Sequence, residues 1–140
     1  MPTSKDYQVV AKRSLKAAAL LKTQIHEKKA FLAYHALEST GCALAILKGL
    51  PAGPSVTHPK KLQYFVQAAK QHGNKKLEAE VVKLVISVSA LRNRLLYPED
   101  HSGGIHTHLP QHRISVKEAG ELYKRIEAVV NAVEQIANPI

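Results

Sequence analysis

The chain has no tryptophan, a single cysteine, and aromatic residues at only 5%. The lone Cys42 excludes an internal disulfide and suits a reducing compartment. With aromatics so scarce, the core falls to Leu, Val, Ala and Ile, in proportions that favour helices over strands. No apolar run reaches the about 18 residues that a membrane span requires, so no span is expected. The amino terminus, MPTSKDYQVVAKRS, lacks an apolar signal core and a cleavage site, and a cytoplasmic location is the default expectation. No Gly-rich phosphate loop, Ser/His/Asp order or internal repeat is recognisable.

What the chain has instead is positive charge, unevenly spread. The net charge is +9. Residues 1–49 carry eight Lys/Arg against three acids, residues 50–97 eight against two, and residues 98–140 four against six. A basic body is therefore followed by an acidic final segment. Such a body attracts RNA, nucleotides or an acidic protein, although a solvated lysine-rich helix surface gives the same count. With 140 residues, 45% hydrophobic and 22% charged, the expectation is one soluble domain spanning 1–140.

Apolar spacings of three and four residues predict helices and no strands. The first is expected over Ser4–His26, capped by Ser4 or Asp6, with Val10, Ser14, Ala17, Leu21 and Ile25 as its stripe, broadened by Ala18 and Leu20. HEKK at 26–29 reads as a joint, and a second helix is expected over Lys29–Leu47. Its small residues permit close approach of a neighbour. Gly41, which costs about 1 kcal/mol of helix propensity, points to a tight contact there. Glu38 lies between apolar neighbours and would need a partner if buried. Gly49 ends this helix, and a proline-rich loop leads to Pro59, suited to the first turn of a short third helix.

A fourth helix is expected over Lys75–Leu96, with Leu77, Val81, Leu84, Val85, Val88, Leu91 and Leu95 as its stripe. It closes on LRNRLLYPEDH at 91–101, which sets Arg92 and Arg94 two residues apart and stops at Pro98. The histidine-rich stretch up to Ile114 is long for an unstructured connection. Ser115 and Glu118 form a capping box for the last helix. The sum is an all-α, antiparallel up-and-down four-helix bundle with one additional short helix.

The order of these pieces resembles the HEPN domain family over nearly the whole chain. The resemblance is carried by SLKAAALL at 14–21, FLAYHALES at 31–39, KGLPAGPSVTH at 48–58, LRNRLLYPED at 91–100 and SVKEAGELYKRIEAVV at 115–130. It implies a helical bundle that usually dimerises, and one of two activities. Many members are metal-independent ribonucleases of toxin type, paired with a nucleotidyltransferase antitoxin. Others are non-catalytic modules that bind a nucleotide or a partner protein. The ribonuclease signature is an Arg, four to six residues, then a His. Arg92-Asn93 matches its opening, but Tyr97 stands where the short spacing wants His, and only Arg94 to His101 fills the long one. Cys42 stands where the family often has Lys.

Metal-free cleavage of RNA needs a base for the 2′-hydroxyl, an acid for the leaving oxygen and a cation for the phosphorane. Histidine suits the first two roles and arginine the third, whereas tyrosine is a poor base at neutral pH. Arg92, Arg94 and His101 are thus the catalytic candidates, and Arg92, Asn93, Arg94 and Tyr97 the ligand-binding ones. Arg92 could equally cap the bundle end through Glu38 or the last helix, Tyr97 could be a packed helix stop, and His101 a surface residue. His106-Thr-His108, with His101 and His112, raises a metal site, but no cysteine or placed carboxylate joins them. No metal or cofactor is expected. The expected partners are RNA or a nucleotide, a second copy of the chain and a nucleotidyltransferase, with no membrane.

Overall fold

The computed structural model describes residues 2–100 and 107–139. Six α-helices make up the fold: α1 (Ser4–Leu20), α2 (His26–Leu47), α3 (His58–His72), α4 (Lys75–Val88), α5 (Leu91–Leu96) and α6 (Val116–Ala137). The chain is all-helical apart from one two-residue ladder. It pairs β1 (Glu99–Asp100) with β2 (Thr107–His108), antiparallel, with Glu99 opposite His108. Sequence patterning did not anticipate this ladder, because two residues are too few to show a period.

Helix α2 is the centre, and α1, α3, α5 and α6 all pack on it. It is buried nearly all round from Ala30 to Ala45, which is why its apolar residues show no one-sided stripe. Ser4 Oγ donates to the carbonyl of Ala43 at 2.9 Å, while Ser14 Oγ bonds His35 Nδ1 at 2.9 Å. These contacts run in opposite chain directions, so α1 is antiparallel to α2. Lys12 pairs with Glu134 at 3.0 Å and Gln8 accepts from Asn138, so α1 is antiparallel to α6 as well.

Several boundaries differ from expectation. Helix α1 ends at Leu20, six residues early, and the chain reverses through a 3-10 turn at Thr23–Ile25. Its buried face is Ala11, Ser14, Leu15 and Ala18; Ser14 and Ala18 of the expected stripe are buried, but Val10 and Leu20 are exposed and Ala11 and Leu15 take their place. The alanines satisfy two stripes equally well, and only contact with α2 chooses between them. The cap is Thr3 rather than Ser4 or Asp6; Asp6 closes the box by accepting from the Thr3 N–H at 2.7 Å.

Helix α2 begins at His26, so the expected joint is its first turn. His26 Nε2 lies 2.9 Å from the carbonyl of Gln111 and 2.7 Å from that of Ile114. Two carbonyls can only accept, so Nε2 carries the proton and ties this turn to the segment before α6. The expected fourth helix divides at Ser89–Ala90 into α4 and α5. Ser87 and Ser89 return hydrogen bonds to the carbonyls of Lys83 and Val85, a pattern that loosens and bends helices. The break re-aims the arginines.

Other expectations hold. The Ser115–Glu118 capping box is present, with both bonds at 3.0 Å, and Ile114 is buried behind it. Tyr97 is extended ahead of Pro98 and ends α5. Gly41 receives Phe65 of α3, as its place in α2 suggested. By length and composition alone the segment Thr23–Leu47 is long and apolar enough to cross a membrane, although it is no uninterrupted apolar run; 72% of its most apolar window is buried within the bundle, as in a core helix.

Candidate functional site

Where α3 begins and α5 lies across α2, a cleft of about 500 Å³ opens. Pro59, Leu62, Val85 and Ala90 supply its apolar lining, and Tyr34, His58, Gln63, Ser89, Arg92, Asn93 and Arg94 its polar one. Among the described residues, no carboxylate lines it, so its charged wall is cationic.

The short helix α5 delivers the predicted arginines. Arg92 is half-buried and Arg94 exposed, and both border this one cleft. Arg92 Nη1 donates to Asn93 Oδ1 at 3.1 Å, which sets the asparagine beside the guanidinium. Tyr97 does not join them. It is 57% exposed beyond the cleft, because the extended backbone required before Pro98 carries it off the helix.

Behind the cleft sits Glu38, 6% exposed. A buried carboxylate without partners costs several kcal/mol, about 3–5 when a buried pair is broken. Three side chains meet the need. The Tyr34 hydroxyl, one helical turn earlier, donates to Glu38 Oε2 at 2.8 Å. His58 Nδ1 lies 2.9 Å from both carboxylate oxygens. Lys61 Nζ adds its charge at 3.6 Å from Oε1. The alternative that Arg92 caps the bundle end through Glu38 is thereby displaced by Tyr34, His58 and Lys61.

Electrostatics follow from this burial. Desolvation pushes the Tyr34 hydroxyl far above its ordinary range, and the adjacent Glu38 charge pushes the same way, so it stays a neutral donor. Burial also lowers the pKa of His35, aided by the positive charges of Lys61, His58 and Arg92 and opposed by Glu38. Burial raises the Cys42 thiol, which makes it a poor nucleophile and agrees with an inert core cysteine.

The remaining candidates fall elsewhere. His101 and His106 lie outside the described residues. His108 is half-buried on β2, and His112 is exposed in the 3-10 turn Pro110–His112. Among the described residues, no three His, Cys, Asp or Glu side chains form a metal-ligating group. A groove of about 550 Å³ between α4 and α6 is also basic, through Lys76, Lys83 and Lys124. Its Arg125 is already paired with Glu80 at 2.9 Å, and no oriented imidazole reaches it.

Sequence reasoning missed His58, Tyr34 and Lys61 as members of the site. The usable signal was the need of Glu38 for a partner, together with a His-Pro at the start of the next helix. Comparison with family models, with curated proteins and with solved structures returns no match.

Proposed function

We propose that this chain is a HEPN-like protein that binds RNA or a nucleotide through phosphate contacts in the cleft at Arg92, Asn93 and Arg94. The observation that carries the proposal is the cleft itself. Two guanidiniums and an imidazole border one concavity, and the carboxylate held by that imidazole is itself buried. Guanidinium donors match phosphate oxygens, and the apolar lining gives a base or ribose a dry contact. The net charge of +9 adds long-range attraction for a polyanion.

An up-and-down arrangement of four long helices, a homodimer and a cytoplasmic location belong to the same proposal. So does metal-independent ribonuclease activity of toxin type. The alternative is a non-catalytic module that docks a nucleotidyltransferase. It is favoured by Ile86 on α4, which is 74% exposed, and by Tyr97 in the place of a histidine.

The deciding experiment is fluorescence anisotropy of a labelled single-stranded RNA, comparing the wild type with an Arg92→Ala/Arg94→Ala variant. Weakening of tenfold or more in the variant, with unchanged circular dichroism, supports phosphate binding at the cleft. Equal binding by both proteins moves the contact elsewhere, and no binding by either favours the docking module.

A further inference from the structure

His58 does more than satisfy a buried acid. Both Glu38 oxygens face its Nδ1 at 2.9 Å, and a carboxylate can only accept, so Nδ1 carries the hydrogen. In the neutral ring the lone pair then lies on Nε2. The ring is 44% exposed and borders the cleft, whereas its carboxylate partner does not. A histidine needed only to neutralise Glu38 has no reason to border a cationic cleft, since Tyr34 and Lys61 already serve the carboxylate. A buried acid and a cleft-lining imidazole fixed to it through one nitrogen, with the lone pair left on the other, form the arrangement that orients a general base.

We infer that His58, held by Glu38, is the proton-transfer group of this cleft, and that its substrate is single-stranded RNA cut at a phosphate bound by Arg92 and Arg94. The inference rests on the phosphate-binding and ribonuclease reading proposed above and assigns its proton transfer to a residue outside the Arg–His spacing. In that reaction His58 Nε2 takes the proton of a ribose 2′-hydroxyl. The 2′ oxygen forms a bond to the adjacent phosphorus, and the bond from phosphorus to the 5′ oxygen breaks with its electron pair on that oxygen. The 5′ oxygen takes a proton from water, and His58 returns its own proton to the hydroxide so formed. The products are a 2′,3′-cyclic phosphate and a 5′-hydroxyl, with no oxidant, metal or co-reactant consumed. The guanidiniums stabilise the charge that gathers on the phosphorane oxygens. Glu38 is a positioning residue, because it does not line the cleft and reaches the substrate only through His58.

The test uses the full chain in EDTA on a DNA oligonucleotide containing one ribonucleotide, with an all-DNA copy as control. The wild type is expected to cut only the ribonucleotide-containing strand and to leave a cyclic phosphate. His58→Ala and His58→Asn are expected to lose at least 100-fold in cleavage while binding changes less than threefold, and free imidazole should restore part of the loss to His58→Ala. Glu38→Gln is expected to slow the wild type strongly yet add little in the His58→Ala background, since the two act as a unit. Circular dichroism and urea titration check the fold of each variant, and His58→Asn, which keeps a side-chain donor for the buried Glu38, is the variant expected to fold even if Glu38→Gln does not. Cleavage that survives in both His58 variants, or that is abolished by His101→Ala alone, overturns the assignment. A folded wild type that binds RNA through Arg92 and Arg94 but never cuts overturns it too, and leaves the binding role standing. Loss of that binding role would show instead as Arg92→Ala/Arg94→Ala binding RNA like the wild type.

Discussion

The side chain that Gly41 lacks would begin 2.7 Å from Cδ2 of Phe65 and 3.0 Å from its Cβ. Phe65 is completely buried and packs against α2 where Gly41 leaves room for it. Because α3 also carries His58 and Lys61, this contact sets the distance from both residues to Glu38. Gly41→Ala forces α3 outward. Overpacking costs about 1–3 kcal/mol and the gain in helix propensity offsets about 1 of that. A net loss is expected in urea unfolding. Gly120→Ala, where a Cβ would meet nothing within 4 Å, is expected to stabilise α6 by up to about 1 kcal/mol. The same sign for both substitutions would refute the role of the Phe65 contact.

Removing the Glu38 carboxylate leaves the buried Tyr34 hydroxyl and the His58 N–H without their acceptor. Glu38→Ala is therefore expected to lower stability by about 2–3 kcal/mol, the cost of stranding such donors. Urea titration at neutral pH measures it. A change under about 0.5 kcal/mol, the size typical of a surface substitution, would mean that the network contributes nothing to folding.

His35 makes stability depend on pH. Its pKa is lowered from the ordinary 6.5, first by burial. The unfolded chain therefore binds the proton more readily than the folded one. The stability involved is fully present above pH 6.5, is lost as pH falls from there towards the folded value, and does not return below it. Chemical denaturation of the wild type and of His35→Gln between pH 8 and about 5 tests this, over the span in which histidine charge changes. The wild type should lose more stability on acidification than the variant; parallel curves would assign the pH dependence to other groups.

Salt gives an independent check on the cleft. On single strands each neutralised phosphate contributes a slope of about −0.7 in log K against log salt. Loss of two contacts in Arg92→Ala/Arg94→Ala should flatten that slope by about 1.4 units. Weaker binding with an unchanged slope would indicate that the arginines hold the fold of the cleft rather than the phosphate.

The capping box at the start of α6 offers a simpler stability test. Ser115→Ala removes the acceptor of the Glu118 N–H and should cost about 1 kcal/mol, seen as a lowered Tm. No fall in Tm would mean that water replaces the hydroxyl without loss.

Much of the architecture could be read from local pattern. The stripe of α4 and α5, the capping box and apolar face of α6, the stop at Pro98 and the close approach at Gly41 all depend on residues a few positions apart. Their physics is local: helical period, an unsatisfied N–H, a forbidden backbone angle. The arginine pair of the cleft was legible for the same reason, being two charged residues with only Asn93 between them.

What spacing alone could not decide depended on contacts between distant segments. The alanine-rich α1 had two equivalent faces, and its buried one is set by Ser4 and Ser14 meeting α2. The start of α2 at His26 depends on carbonyls of Gln111 and Ile114, some 85 residues away. The site was half visible in the same way. Composition and helical period indicated that Glu38 would be buried and would need a partner. Only the fold, by seating Phe65 on Gly41 and so bringing the start of α3 beside Glu38, decided that the partner is His58.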